Sequence, residues 1–284
     1  MIRSQHMLSK HLTYKTVVYV LLIIIVIATG LPLIYMVSTS LKPDGTEYDF
    51  PIRWIPERFA WENYEKAFSA VPVLTFFKNT IIIVVVTLIG ELLSSSLVAY
   101  GFARIRFPGR TFLFGLMLST MMMPFFVTMI PLFILFRAFR WVDTLYPLTI
   151  PAFFGGPPFF IFLLRQFFLT LPKDLDDAAR IDGASYFRIW WSVLLPLAKP
   201  ALSTVAVLSM VAHWNDFTGP LILLNSEENF TLALGIRLFQ HWHRTYFNQM
   251  MAYATMMTIP VLAVFFLFQK HFVKGISMTG LAGR

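Results

Sequence analysis

The chain has 284 residues, of which 57% are hydrophobic and only 13% are charged, and its formal net charge is +8. Soluble domains carry roughly a quarter charged residues, so the composition excludes an ordinary soluble protein and predicts an integral membrane protein. Cysteine is absent, which excludes disulfide and thiol chemistry. Basic residues on so hydrophobic a chain are typical of cytoplasmic loops, and no nucleic-acid partner is expected.

Six apolar stretches, each long enough to cross a bilayer as a helix, follow one another along the chain. The predicted all-α fold has transmembrane helices at about 16–38, 80–103, 111–136, 146–169, 201–224 and 251–269. We interpret the first stretch as a retained span, because it is too long for a signal peptide and no small-residue cleavage site follows it. Prolines interrupt the third and fourth spans, which is tolerated where neighbouring helices or a cavity satisfy the freed backbone groups.

The distribution of Lys and Arg predicts that both termini are cytoplasmic. The short loop after the second span carries Arg104, Arg106 and Arg110 and no acid, and the predicted inner segments hold fourteen basic residues against nine outside. Residues 1–15 then form a cytoplasmic N-terminal segment and 270–284 a cytoplasmic tail. The polar segment 171–200, between the fourth and fifth spans, also lies in the cytoplasm.

The chain offers little chemistry of its own. No P-loop motif occurs, so ATP is not expected to bind through such a loop, and no nucleophile lies at a useful spacing from a base. His241 and His243 flank Trp242 in a predicted outer loop, a pattern that favours a solvated aromatic loop over a metal site. We therefore predict no catalytic residue and no metal ligand, and a protein that is not an enzyme.

Two acids fall within predicted spans, where an ionisable group is a functional hypothesis by default. Glu91 is followed by the serines at 94–96, which favours a structural role in which these hydroxyls satisfy the carboxylate. Asp216 stands beside Asn215 and ahead of Thr218, and for it a structural role and a role in a polar path are equally supported. The candidate translocation path therefore comprises Glu91, Asn215, Asp216 and Thr218.

The polar segment has the pattern of two short helices joined at a glycine. Three aspartates crowd the first turn of a helix beginning at Asp174, where carboxylates suit the positive end of the helix dipole. Gly183 follows where a left-handed C-terminal cap is needed, and Ser185 can cap a second helix. Pro196 is predicted to end or kink that second helix.

This pattern leads to a family resemblance. The run Asp177-Ala178-Ala179-Arg180-Ile181-Asp182-Gly183-Ala184, followed by Leu195-Pro196, resembles the EAA signature of binding-protein-dependent ABC importer permeases. Asp177 stands where the family has a Glu, one methylene longer. Four other runs are similar to the carbohydrate branch, of the maltose and glycerol-phosphate type: Ser38–Lys42, Trp61–Tyr64, Ala99–Arg104 and Trp214–Phe217.

The resemblance implies a subunit that carries a sugar or oligosaccharide across a bacterial or archaeal cytoplasmic membrane by alternating access. It implies that the segment forms coupling helices for a cytoplasmic ABC ATPase dimer, which binds ATP and Mg²⁺, so that this chain itself holds no cofactor. The further partners implied are an extracytoplasmic solute-binding protein and a second permease subunit, related but different, besides membrane lipid. The residues implied in coupling are Asp177, Ala178, Ala179, Asp182, Gly183, Ala184, Leu195 and Pro196.

Other transport functions remain as alternatives. Within the same class, the solute could be glycerol phosphate or a polyamine rather than a sugar. An ion-coupled secondary transporter would be expected to have more buried acids and an inverted repeat, and neither is apparent. A channel would need a filter loop or a charged ring, which is not evident either.

Overall fold

The computed structural model describes residues 2–240 and 245–281, with side chains from 14–240 and 245–267. Over these residues the chain is helical and contains no strand, and one isolated antiparallel bridge joins Gln240 to Thr245. The predicted all-α fold is therefore confirmed for the described chain.

The α-helices are, in chain order, α1 Ile2–Ser40, α2 Glu62–Ala70, α3 Val73–Arg104, α4 Arg110–Ser119, α5 Phe125–Ala138, α6 Tyr146–Thr149, α7 Pro158–Thr170, α8 Asp174–Ile181, α9 Tyr186–Ile189, α10 Leu195–Leu197, α11 Lys199–Trp214, α12 Thr218–Leu223, α13 Leu232–Gly235 and α14 Phe247–Leu281. Short 3₁₀ turns occupy Thr120–Met122, Ile150–Phe153, Glu227–Asn229 and Ile236–Phe239, and a π-helical turn occupies Trp190–Leu194.

Four helical stretches are long and apolar enough to cross a membrane: Tyr14–Ser40, Val73–Arg104, Tyr146–Thr170 and Phe247–Leu267. They contain or closely match the first, second, fourth and sixth predicted spans. Two bent pairs reach the same length and composition only when each pair is taken together: Arg110–Met122 with Phe125–Ala138, bent by 99°, and Tyr186–Leu197 with Lys199–Trp214, bent by 81°. By length and composition the described chain thus provides between four and six spans.

The third span is interrupted at Pro124, as its prolines indicated, but it continues through Pro131, and the fifth is not the single helix that the sequence predicted. The third breaks at Met123, which is extended, because Pro124 disfavours helical backbone in the residue before it. The fifth was predicted to run to Leu224, but α11 ends at Trp214, where the Asn215 side chain donates a hydrogen bond back to the Val211 carbonyl. The helix α12 follows as a separate element.

The chain divides into two units. The first comprises Met1–Val71 and Leu238–Met256, and its segments meet at the backbone of Lys42. The Lys42 carbonyl accepts hydrogen bonds from the side-chain amides of Asn63, at 2.8 Å, and Asn248, at 2.9 Å. All three residues are buried, so one oxygen joins segments that are far apart in sequence.

The second unit comprises Pro72–Arg237 and Met257–Arg284, and α3 packs along α7 at its centre. Small residues of α3, Ala99 and Ala103, share a buried core with Leu164 and Phe168 of α7, and small residues let two helix backbones come close. The same core also includes buried residues between positions 189 and 205, which follow α8 in the chain.

The glycine-rich break before α7 also packs on α3. Gly156 has a left-handed backbone, with φ +63°, and a Cβ at this position would overlap with the Ser95 hydroxyl oxygen. Gly90 lies so close to Phe153 that an added Cβ would be 2.9 Å from its ring. The interruption of the predicted fourth span is therefore a close approach to α3, in which each glycine backbone lies against side chains of the other element.

Candidate functional site

The candidate coupling segment, Asp174–Leu197, forms the helix–glycine–helix element that its capping pattern predicted. At the end of α8 the Ala184 amide donates to the Ala179 carbonyl at 2.9 Å, and the Gly183 amide donates to the Arg180 carbonyl at 2.9 Å. These two bonds are those of a Schellman motif, which requires a left-handed residue after the helix. Gly183 supplies it with φ +76°, so the local prediction for Gly183 is confirmed.

The second half of the segment begins at the predicted cap. The Ser185 hydroxyl accepts a hydrogen bond from the Arg188 amide at 3.3 Å and caps α9. The prediction for Pro196 was only partly right. The chain remains helical through Pro196, after the π-helical turn, and the 81° bend comes at Ala198, between α10 and α11.

The segment has an exposed apolar tip and a buried base. At the tip, Ile181 is 87% exposed, and Tyr186, Phe187 and Trp191 are each at least half exposed. At the base, Ile189, Trp190 and Leu194 are buried in the core with α3 and α7. Exposed aromatic side chains at the end of a well-anchored element are typical of a surface that binds another protein or a membrane.

A buried ion pair attaches α8 to the end of α3. Arg104 Nη1 lies 3.3 Å from Asp176 Oδ2, and the two side chains are only 5% and 10% exposed. Arg104 also donates from Nη2 to the Leu171 carbonyl at 2.8 Å. Burial raises the pKa of the Asp176 carboxyl above its usual range, although Arg104 and Arg180 act in the opposite direction. Sequence reasoning recognised Asp176 only as a first-turn acid, because no local pattern indicates a partner 72 residues earlier.

The predicted coupling residues lie mostly on the surface of this element. Ala179, Ala184 and Leu195 are half-buried, whereas the exposed ones are Asp177, Ala178, Asp182, Gly183 and Pro196. Asp177, which stands at the Glu position of the EAA signature, is thus exposed and available to a partner. Its neighbour Asp176 points the other way in function, because its ion pair with Arg104 attaches α8 to α3.

Glu91 has a partner that the sequence did not predict. Its Oε1 lies 3.0 Å from Nε2 of His213 in α11, and Glu91 is 4% exposed. The expected bonds from the serines are wrong: Ser94 donates to the Ala152 carbonyl at 2.7 Å, and Ser96 to the Leu93 carbonyl in its own helix. The structural role remains, but it joins α3 to α11.

The three polar residues after α11 differ in their surroundings. Asn215 is exposed and bonded to its own helix. The carboxylate of Asp216 accepts a hydrogen bond from the Gly219 amide at 3.1 Å, which supports the start of α12. Asp216 and Thr218 both line a cavity, whereas Asn215 and Glu91 do not.

This cavity lies within the second unit and has a volume of about 500 Å³. Its polar lining comes from His213, Asp216, Thr218 and Thr231. Its walls are apolar and include Phe125, Met129, Phe133, Phe136, Pro147 and Pro151. An apolar cavity with a few convergent polar groups is the usual form of a small-molecule site.

Asp143 is a further important residue that sequence reasoning missed. It precedes α6 with a left-handed backbone, φ +63°, and its carboxylate accepts hydrogen bonds from the amides of Asn225 and Ser226, both at 2.9 Å. Burial alone would raise the pKa of Asp143, but these bonds, together with those from the side chains of Ser226 and Asn229, lower it from 3.8 to about 2. Asp143 therefore holds the connection after α12 against the connection before α6.

The described residues contain no group of three His, Asp or Glu side chains that could hold a metal ion. The pattern His241-Trp242-His243 lies outside the described residues.

The comparisons with known proteins agree with this geometry. A family model described as the binding-protein-dependent transport system inner membrane component matches residues 92–278. The arabinooligosaccharides transport system permease protein AraQ of Halalkalibacterium halodurans is 33% identical over 255 residues, which cover 89% of this chain and 91% of that protein. The sn-glycerol-3-phosphate transport system permease protein UgpE of Yersinia enterocolitica is 32% identical over 267 residues, covering 91% and 94%.

A similar solved structure is a bacterial ABC transporter involved in the import of the acidic polysaccharide alginate. The TM-score is 0.79 at 26% identity, and the match covers 92% of this chain and 96% of that one. The family model alone spans more than half of the sequence, including the coupling segment and the cavity residues after α11. The chain belongs to the family of inner membrane components of binding-protein-dependent transport systems, and it is a multi-pass permease subunit.

Proposed function

We propose that this chain is one permease subunit of an ATP-driven importer that carries a sugar or oligosaccharide across a bacterial or archaeal cytoplasmic membrane. The family supports the importer class, and AraQ, named for arabinooligosaccharides, supports a saccharide. The chain does not hydrolyse ATP itself. A separate cytoplasmic ABC ATPase dimer binds ATP and Mg²⁺.

The observation that carries the proposal is the construction of the coupling segment. Its exposed tip, with Ile181, Phe187 and Trp191, offers apolar area that a groove on the ATPase would bury. Its base is packed into the core with α3 and α7, so a displacement of the tip must move these helices as well. The ion pair between Arg104 and Asp176 adds a second attachment.

Within this scheme the predicted coupling residues have distinct tasks. Gly183 provides the left-handed turn that sets the direction of α9 relative to α8. The exposed carboxylates of Asp177 and Asp182 meet the ATPase surface. Ala178, Ala179 and Ala184 keep the approach between the two proteins close. Leu195 and Pro196 lie just before the 81° bend that leads into α11.

The proposed topology has six spans with both termini in the cytoplasm. The bent pair Arg110–Met122 with Phe125–Ala138 counts as one span, and the fifth span begins after the 81° bend, with α11 and α12. The basic residues Arg104, Arg106 and Arg110 support it, because basic residues between closely spaced spans remain on the cytoplasmic side. The coupling segment then faces the ATPase. A solute-binding protein delivers the sugar from the opposite side.

The cavity beside α11 and α12 forms part of the translocation path. Asp216 and Thr218 offer polar groups to a sugar, and Glu91 acts indirectly by holding His213 at the cavity wall. Asn215 lies next to this wall and contributes to the path in another state of the alternating-access cycle. The rest of the path comes from a related but different permease subunit, and the pair is surrounded by lipid.

Glycerol phosphate is the second candidate solute, because UgpE is 32% identical to this chain over nearly its whole length. A polyamine remains a weaker candidate, since the acid at the cavity wall is its only support.

Reconstitution tests the proposal. The chain is co-expressed with a second permease, an ATPase and a binding protein sought among its neighbouring genes, and uptake of radiolabelled neutral oligosaccharides into proteoliposomes is measured with and without ATP. ATP-dependent uptake that requires the binding protein is the expected result. Uptake driven by an ion gradient without ATP would contradict the proposal.

Cysteine labelling tests the topology, because the natural chain has no cysteine to replace. The Ser185→Cys and Glu62→Cys variants should react with a membrane-impermeant maleimide from opposite sides of the membrane. Labelling of both from the same side would refute the six-span arrangement, whatever the outcome of the uptake measurements.

A further inference from the structure

We propose that the cavity beside α11 and α12 admits uncharged saccharides and excludes anionic ones, with Asp216 as the residue that determines this specificity. The inference rests on the proposed function, and it names the substrate class of the same path. It separates this chain from a permease for glycerol phosphate or for an acidic polysaccharide.

The charge of the cavity supports exclusion of anions. Of the described residues that line it, only His213 and Asp216 are ionisable, and no Lys or Arg is among them. His213 is already engaged by the buried carboxylate of Glu91, at 3.0 Å. The ionisable lining is thus one carboxylate and one imidazole that is already hydrogen-bonded to another carboxylate, and the described lining offers no Lys or Arg to bind an anion.

Asp216 is the acid that a solute would meet. No Lys or Arg pairs with its carboxylate in the described part of the chain. The Gly219 amide binds Oδ1, which leaves Oδ2 as an acceptor. A Cβ at position 219 would lie 2.6 Å from Oδ2, so the absence of a side chain at Gly219 lets the carboxylate lie close to the start of α12.

The walls favour a sugar that carries no charge. Phe125, Phe133 and Phe136 present aromatic surface on which the apolar face of a pyranose ring can stack. A carboxylate accepts hydrogen bonds from hydroxyl groups, and such bonds to a charged acceptor are stronger than neutral ones. A uronate or phosphate would instead bring a second negative charge close to Asp216 in a poorly solvated site, where repulsion is weakly screened.

Because the chain has no natural cysteine, a single introduced thiol can report the charge of the cavity without knowledge of the substrate. In the Thr218→Cys variant, within the assembled transporter in membrane vesicles, the rates of reaction with a cationic and an anionic methanethiosulfonate are compared. We expect the cationic reagent to react faster after correction for their rates with a free thiol. Adding Asp216→Asn should lower the ratio of the rates by about tenfold or more, since one full charge near the thiol is removed.

Two controls isolate the effect. Glu57→Gln removes a carboxylate from an exposed position of the first unit and should leave the ratio at Thr218→Cys unchanged. Ser69→Cys, on the exposed face of α2, should show the same ratio with and without Asp216→Asn. An unreactive thiol at 218, or a ratio that Asp216→Asn does not change, would overturn the proposal.

Uptake by the complete wild-type transporter tests the substrate class itself. Proteoliposomes are offered neutral arabino-, malto- and galacto-oligosaccharides on the one hand, and oligogalacturonate, alginate oligomers and glycerol phosphate on the other. Uptake of neutral oligosaccharides alone is the expected result. Uptake of an anionic solute would overturn the charge inference and leave ATP-driven import intact, whereas uptake of no solute in either group would contradict the proposed function.

Discussion

Arg104, the last residue of α3, and Asp176, in the first turns of α8, form an ion pair at 3.3 Å from which water is almost fully excluded. Burial raises the pKa of Asp176 in spite of the guanidinium beside it. An acid whose pKa is raised by folding makes its least favourable contribution to stability at neutral pH, and this contribution improves as the pH falls. The pair therefore serves to position α8 rather than to stabilise the fold.

Because burial disfavours the charged form of Asp176, substitution of Asp176 and substitution of Arg104 should have different effects on stability. Asp176→Asn keeps an oxygen acceptor, and Arg104 keeps its bond to the Leu171 carbonyl, so the free energy of unfolding should fall by only about 1 kcal/mol. Arg104→Gln leaves a buried carboxylate without its cation and should cost about 3 kcal/mol at neutral pH. That loss should shrink as the pH is lowered towards the raised pKa of Asp176, because protonation removes the unpaired charge.

Coupling gives the second measurement for this pair. ATP hydrolysed per sugar imported should rise about threefold or more in Asp176→Asn, because α8 is less firmly attached to α3. Asp174 is an exposed acid in the same turn, so Asp174→Asn is the matched control. It should change neither the free energy of unfolding nor the ATP hydrolysed per sugar imported. An Asp176→Asn transporter with wild-type stoichiometry would show that the pair has no part in coupling.

Replacement of Gly183 should uncouple the transporter through its backbone alone. A Cβ at this position meets no atom within 4 Å, so the cost of Gly183→Val comes from the left-handed φ of +76° and amounts to about 1–2 kcal/mol. The coupling element should relieve this strain by changing the turn, and ATPase activity stimulated by the sugar should be lost. Gly183→Asn should retain most of the coupling, since Asn tolerates this conformation. Equal losses in both variants would argue against a role for the turn geometry.

The contact between Gly156 and α3 predicts a pair of compensating substitutions. Gly156→Ala should destabilise the protein by roughly 2–3 kcal/mol, because its methyl group would overlap with the Ser95 hydroxyl and the backbone is left-handed. That hydroxyl is buried and has no hydrogen-bond partner in the described chain, so Ser95→Ala alone should be neutral or stabilising. The double variant should recover part of the loss of Gly156→Ala in a thermal unfolding assay. Strict additivity of the two changes would contradict the predicted contact.

The hydrogen bonds to the Asp143 carboxylate predict a pH-dependent contribution to stability. Its pKa is lowered to about 2 in the folded state, so its stabilising effect is complete above the unfolded value of 3.8 and is lost as the pH falls towards 2. Asp143→Ala should remove about 1 kcal/mol at neutral pH, after allowance for solvent screening, and it should flatten the acid limb of a stability profile between about pH 4 and 2. Asp143→Asn keeps one acceptor and tolerates the positive φ, so its loss should be smaller. An acid limb that is the same in all three proteins would exclude this assignment.

The features that were predicted correctly are those that neighbouring residues determine. The Schellman turn at Gly183 and the cap at Ser185 each depend on hydrogen bonds within five residues, and composition alone determines the apolar helices. The end of α11 at Trp214 was missed, because the predicted fifth span was drawn by overall composition through Asn215 to Leu224 although the helix stops there. Hydropathy measures suitability for lipid and not continuity of hydrogen bonding.

The partners of the buried charged residues could not be predicted from neighbouring residues in the sequence. Glu91 was expected to bind the serines next to it in sequence, but those hydroxyls bond to carbonyl groups, and the carboxylate meets His213, 122 residues away. Arg104 was assigned by charge to a loop, and only the packing of α3 against the segment before α8 brings it to Asp176. Contacts of this kind follow from tertiary packing, which a single sequence does not specify in any local pattern.

The shared oxygen of Lys42 has a consequence for the order of biosynthesis. The bond from Asn248 to this carbonyl links residues 206 positions apart, and Tyr48 also packs on Phe247 with ring centroids 5.6 Å apart. Since a ribosome adds about 5–20 residues per second, segments near Lys42 wait at least ten seconds for these partners to be made. During that interval the buried backbone around Lys42 is without one of its donors. The nascent first unit therefore lacks this link until the last helix has been made.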